Sequence, residues 1–227
     1  MIIEFTGIPG VGKSTIINGI SEFSLKIPII FNVEKYIRDR SFFKLPSTIG
    51  FDIILFVNFY KLKSKDYSLL SKSLTVLKKN NNTMFHKINI LRNIFKKLVI
   101  NRIIQNKKEY FLIDEGLSHI PMSLFVDINS EIIKSEVIDF CKNLPKIDKL
   151  LLIDVHDCIL IKRVIKRGEK GHNRIDFSKK ENVILFMSKS RDVLNILKLE
   201  LKPDIYMNTN SSPDILNIIK LIGIRNV

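Results

Sequence analysis

The run Gly7-Ile8-Pro9-Gly10-Val11-Gly12-Lys13-Ser14 sets glycines and a lysine–serine pair at a spacing suited to holding oxyanions. In a G-x-x-x-x-G-K-S loop the glycines accept positive φ, so successive backbone N–H groups converge on phosphate oxygens. A helix starting after Gly12 aims its positive end at the same anion. Lys13 then reaches the outer phosphates, and the Ser14 hydroxyl ligates Mg²⁺. The expected binding set is Gly7, Pro9, Gly10, Val11, Gly12, Lys13, Ser14 and Thr15. ATP with Mg²⁺ is the expected ligand pair, since the chain has no N-K-x-D motif to specify guanine.

Three other groupings carry chemistry. Asp114 and Glu115 close the apolar run 110–113, at a strand end where a carboxylate can approach a metal and phosphates. The plainer reading is a solvated Asp-Glu-Gly turn. Arg163 and Arg167 lie one helical turn apart, and Gly168 and Gly171 let the chain turn before Arg174 adds a third guanidinium. Such a trio suits phosphoryl oxygens that gain charge in a transition state, although basic runs also serve as solvated faces. Glu34 and Arg38 follow the second strand, at the sheet edge where an acceptor would sit. There Glu34 suits a hydroxyl and Arg38 a phosphate, and a charged helix start would read the same way. His119 and His156 are isolated and read as structural.

The elements that must position these groups alternate. Strands are expected at 1–6, 27–33, 110–113, 149–155 and 204–207, and helices at 14–23, 131–144, 181–201 and 213–221, with another carrying Ile161, Val164 and Ile165. Ser211 or Ser212 is the expected cap of the last helix. Residues 41–108 read as two or three inserted helices, with apolar stripes at Phe51, Ile54, Leu55, Phe59 and Leu62, then Leu70, Leu74 and Leu77. A third stripe is expected at Met84, Ile88, Leu91, Phe95 and Leu98. This alternation implies an α/β domain with a doubly wound parallel sheet.

With 227 residues and 45% apolar content, the chain suits one globular domain spanning 1–227, with no linker-like stretch to divide it. The most apolar later stretch, 49–60, carries Asp52 and Asn58 and is too short to span a bilayer. Cys141 and Cys158 form no metal-ligand spacing, and Met1 leads straight into the first strand, so a cytoplasmic location is expected. The net charge of +14 suits a polyanion partner, but Lys, Ile and Asn are abundant throughout, which also reads as a compositional bias.

The strand–GIPGVGKST–helix start, Tyr110-Phe-Leu-Ile-Asp-Glu-Gly, and the series Asp154, Arg163, Arg167, Arg174 resemble the nucleoside and nucleotide kinase branch of the P-loop proteins. Thymidylate kinases and deoxynucleoside kinases are the nearest in pattern, and residues 41–108 match nothing in them. The resemblance implies a P-loop NTPase fold whose five-stranded parallel sheet has order 2-3-1-4-5, with a helical insertion between strands 2 and 3. It implies a lid at about 162–176 in which Arg163, Arg167 and Arg174 close over the transferring group. Asp114 would face the metal and Glu115 the acceptor, with Lys13 on the phosphates; thymidylate kinases place Asp-Arg where this chain has Asp-Glu. The segment 208–211 resembles the one that touches adenine. The implied activity is γ-phosphoryl transfer to a small acceptor, a nucleotide or nucleoside, and a homodimer is compatible. Two alternatives remain open at this point: a polynucleotide 5′-hydroxyl kinase or nucleic-acid-associated ATPase, favoured by the charge, and a regulatory ATP-binding module acting on a protein partner.

Overall fold

The computed structural model describes residues 1–23, 28–41, 48–80, 83–168, 180–208 and 214–223. At its centre is a five-stranded, all-parallel sheet of order β2-β3-β1-β4-β5. The strands are β1 (Ile2–Thr6), β2 (Ile29–Ile30), β3 (Tyr110–Asp114), β4 (Lys149–Asp154) and β5 (Ile205–Asn208). Helices cover the sheet, so its inner strands are near-continuous apolar runs such as Leu150-Leu151-Leu152-Ile153, all buried. β1 lies between β3 and β4, and the connections leave it to opposite sides, opening a crevice beyond its carboxyl end.

β2 is shorter than the expected 27–33. The Asn32 side chain accepts the Lys35 N–H at 2.8 Å and starts α2 (Val33–Arg40), which draws Val33 into a helix. α1 (Lys13–Glu22) follows the glycine-rich loop as expected. The inserted segment forms α3 (Thr48–Val57), a 3₁₀ turn (Phe59–Lys61), α4 (Ser64–Lys79) and α5 (Met84–Ile104).

All three of its apolar stripes differ in part from expectation. Phe51, Ile54, Leu55 and Leu62 are buried, but Phe59 is exposed; Leu77 is buried while Leu74 is exposed. α5 buries Ile90, Ile94, Leu98 and Asn101, so Met84 and Ile88 stand in solvent. The cause is that α5 is apolar on more than one face, and periodicity alone does not choose which face meets the core. A bidentate pair ties α4 to α5: Arg102 donates to both Asp66 carboxylate oxygens, at 2.7 and 2.8 Å. Asp66 also accepts the Lys63 N–H at the start of α4.

After β3 come a 3₁₀ turn (Leu117–His119), α6 (Ile120–Phe125) and α7 (Lys134–Lys142). The first two have no counterpart in the expected order, being too short to show a period; Pro121 in the first turn of α6 suits a helix start. α8 (Asp157–Gly168) and α9 (Lys180–Leu201) follow β4, and α10 (Ile215–Leu221) closes the described chain. The α10 cap is Asp214, which accepts the Asn217 N–H; Ser211 and Ser212 lie outside the described residues.

Candidate functional site

The crevice beyond β1 receives the glycine-rich loop directly. Gly7 leaves the strand at φ 151°, and a Cβ there would stand 2.4 Å from the Ile153 carbonyl oxygen, so only glycine fits. Gly12, at φ 99°, turns the chain into α1 and brings Lys13 and Ser14 into its first turn. Lys13 is buried, and its Nζ donates to the Gly7 carbonyl at 3.0 Å across the loop. Its ammonium is thereby fixed beneath the loop, where a surface lysine would sample many rotamers.

β3 delivers the carboxylates to the same place. The Ser14 hydroxyl donates to Asp114 Oδ2 at 2.8 Å, joining the start of α1 to the end of β3, the strand paired with β1. Glu115 takes φ 58°, a left-handed conformation that costs a non-glycine residue about 1–2 kcal/mol. That conformation accompanies a carboxylate set between an ammonium and an imidazole: Oε1 lies 3.4 Å from Lys13 Nζ, and Oε2 lies 3.5 Å from His119 Nε2. Burial acts to raise the Glu115 carboxyl, but His119, Lys13 and Lys97 outweigh it and hold it down to about 2. Asp114 moves the other way, raised by desolvation of its inner side against the opposing pull of Ser14 and Lys13. Two neighbouring carboxyls are thus driven apart by their surroundings.

The turn after Glu115 is built on Glu4, buried in the middle of β1. Glu4 accepts the N–H groups of Leu117 and Ser118 at 2.9 Å each and the Ser118 hydroxyl at 2.8 Å. Gly116 lies so close that a Cβ would stand 2.3 Å from the Glu4 carboxyl carbon. Desolvation raises the Glu4 pKa against these bonds. The buried carboxylate therefore fixes the turn that aims Glu115 and His119.

Beside this centre lies a cavity of about 1220 Å³, reached from the loop at Pro9 and Gly10 and walled by α2, α5, α6 and α9. Glu34 and Arg38 line it, and Glu34 is ion-paired with Lys96 of α5. From α5 come also Asn93, Lys97 and Asn101, one turn apart on one face. Asn101 is 3% exposed, and neither its amide nitrogen nor its oxygen has a hydrogen-bond partner; the buried Ser190 hydroxyl on α9 has none either. Phe31 and Phe186, both half-buried, supply aromatic surface to the same space. Lys189 of α9 holds the rim by donating to the carbonyls of Asp127, Ile128 and Ser130.

Among the arginines expected over the loop, Arg163 is in place: its Nη1 donates to the Val11 carbonyl at 3.4 Å. The backbone of Arg167 belongs to α8, while its side chain and the whole of Arg174 lie outside the described residues. Pro9 lines the cavity, and Thr15 follows Ser14 in α1 with its side chain exposed. Asp154 is occupied structurally, pairing with Arg191 of α9 and accepting from the Tyr206 hydroxyl at 2.8 Å. Of the segment 208–211, only Asn208 is described.

His119, Lys97, Asn101 and Ser190 enter the site from positions the sequence reading left aside. His119 carried one signal, its spacing of one helical turn from Glu115. The other three become visible only when α5 and α9 face each other. No protein-family model matches the chain, and no curated protein matches it in sequence.

Proposed function

We propose that the chain is a P-loop phosphotransferase that binds ATP with Mg²⁺ and moves the γ-phosphoryl group to a nucleotide or nucleoside. The observation that carries this reading is the Ser14–Asp114 hydrogen bond beside the buried Lys13, directly below a glycine loop that no Cβ could enter at Gly7. Hydroxyl and carboxylate oxygens are the hard donors that suit Mg²⁺, which is held by one or two carboxylates together with substrate phosphates. Ser14 and Asp114 would hold the ion, which would offset the charge gathered on the phosphates.

The remaining roles belong to the chain's own groups. The loop N–H groups and Lys13 bind the outer phosphates, and Arg163 covers them from α8. A bound phosphate takes Lys13 away from Glu115, and the carboxylate, relieved of one cation, gains basicity. Glu115 then accepts a hydrogen bond from the acceptor hydroxyl and orients it in line. The acceptor oxygen forms the new O–P bond, the bond to ADP breaks, and the acceptor proton leaves through Glu115 to solvent. The acceptor lies in the cavity, where Phe31 and Phe186 suit a flat ring and Asn101 offers both a donor and an acceptor to its edge.

The test is γ-phosphate transfer from labelled ATP with Mg²⁺ to nucleosides, nucleoside monophosphates, sugars and a 5′-hydroxyl oligonucleotide. Label is expected on a nucleoside or nucleotide, with Lys13→Ala abolishing transfer while the protein stays folded by circular dichroism. Label on the oligonucleotide alone moves the assignment to a polynucleotide kinase. Free phosphate alone removes the transferase reading, and turnover retained by Lys13→Ala removes the role of the loop.

A further inference from the structure

One wall of the cavity is made by chain that belongs to no strand or helix. Residues 126–130 follow α6 on the way to α7, and Val126, Asp127, Ile128 and Asn129 line the cavity. Backbone carbonyls in such a stretch must find donors outside a regular ladder. Lys189 of α9 supplies them: its Nζ donates to the carbonyls of Asp127 at 2.8 Å, Ile128 at 3.1 Å and Ser130 at 2.5 Å. An ammonium has three N–H donors and no acceptor, so these three bonds use it completely. The loop is also tied internally, since the Asp127 carboxylate accepts the Asn129 N–H at 3.0 Å and the Ser130 hydroxyl at 2.8 Å.

Three carbonyl oxygens converging on one point repel one another unless a cation sits among them. The bend of 126–130 therefore depends on a charge delivered from another element. Phe186, Lys189 and Ser190 are spaced three and four residues apart on α9, so they share one side of the helix. Phe186 and Ser190 line the cavity, and Lys189 between them holds the adjoining loop. All the hydrogen bonds of the ammonium go to that loop, whereas the groups that face the phosphates are set by the glycine loop, β3 and Glu4.

We propose that Lys189 is a positioning residue for the acceptor: its carbonyl cage fixes the 126–130 wall of the cavity and so sets acceptor affinity without entering the chemistry. The proposal rests on the phosphotransferase reading of the site. With the ammonium removed, at least one carbonyl must turn toward water, and the side chains of the wall shift with the backbone. Arginine would not replace the lysine, because a planar fork does not converge on three carbonyls. A small alkylammonium would, since it carries the same three donors.

The experiment compares wild type with Lys189→Ala and Lys189→Arg in the full chain. It reads transfer kinetics from ATP to the common nucleosides and their monophosphates, and hydrogen exchange of the 126–130 amides. Lys189→Ala should raise the acceptor KM about 10-fold or more, with kcat and the ATP KM changed less than about 2-fold, the pattern of lost ground-state binding. The 126–130 amides should exchange faster. Propylammonium chloride, which replaces the deleted end of the side chain, should restore both quantities; tetramethylammonium chloride, which has no N–H, should restore neither. Lys189→Arg should behave as the alanine variant does. Should alanine weaken the fold, Lys189→Met keeps the aliphatic stem and carries the same kinetic comparison. An unchanged acceptor KM beside an active wild type overturns this proposal alone. So does a fall in kcat with faster exchange throughout the chain, which marks general loosening. Absence of transfer by the wild type to every acceptor instead defeats the phosphotransferase reading, and the acceptor role of Lys189 falls with it.

Discussion

Glu115 shows how one residue is set by groups from three separate elements. Its left-handed backbone is tolerated because the turn is locked from below by Glu4, and its carboxylate is shared by Lys13 and His119. The depressed pKa has a consequence for stability. A carboxyl held at about 2, against an ordinary value of 4.5, stabilises the fold above pH 4.5, and this contribution is lost as pH falls toward 2. Glu115→Gln should therefore melt below wild type at neutral pH, with the gap closing between pH 4.5 and 2. A gap that stays constant in paired melts across that range would remove the charge cluster from the account. Asn101 is the opposite case, a buried amide whose two polar atoms are unpartnered within the protein, at a cost of about 1–3 kcal/mol. Asn101→Leu should raise the melting temperature by a few degrees while raising the acceptor KM about 10-fold or more. If neither quantity moves, Asn101 is satisfied by solvent and takes no part in recognition.

Among the elements, α5 has the most roles. One face packs Ile90, Ile94 and Leu98 into the core and continues into the cavity wall with Lys97 and Asn101, while another presents Met84, Phe85 and Ile88 to solvent. Its place is held by the Asp66–Arg102 pair, in which both side chains are shielded and Asp66 also caps α4. Removing one partner of such a pair leaves a buried charge alone, a loss of about 3–5 kcal/mol. The inserted segment therefore shapes the acceptor cavity as well as covering the sheet. Arg102→Ala, read by urea unfolding, should lose stability on that scale. A loss below about 1 kcal/mol would mean that solvent reaches Asp66 and that α5 is held by its apolar face alone.

For the whole molecule, the sheet topology and the charge matter most. The order β2-β3-β1-β4-β5 opens the crevice beside β1, so the loop, the end of β3 and the middle of α8 converge there although distant in sequence. A net charge of +14 makes the compact state repel itself at low ionic strength. The melting temperature should rise as salt is added up to about 0.15 M, where the screening length falls to about 8 Å. A fall over that interval would mean that paired charges such as Glu34–Lys96 and Asp139–Lys72 outweigh the excess positive charge.

What the sequence alone determined is local. The Gly7–Ser14 spacing, the strand that precedes it and the carboxylates ending β3 were legible because each depends on neighbours in the chain. So was the parallel sheet, since buried strands need unbroken apolar runs and connecting helices need their own period. Tertiary structure decided which face of α5 is buried, because an all-round apolar helix takes its orientation from what it packs against. It also decided that His119 and Lys97 act on Glu115 and that Asn101 and Ser190 face one cavity. Those relations join residues from different elements, and no periodicity in a single chain records a distance across a fold.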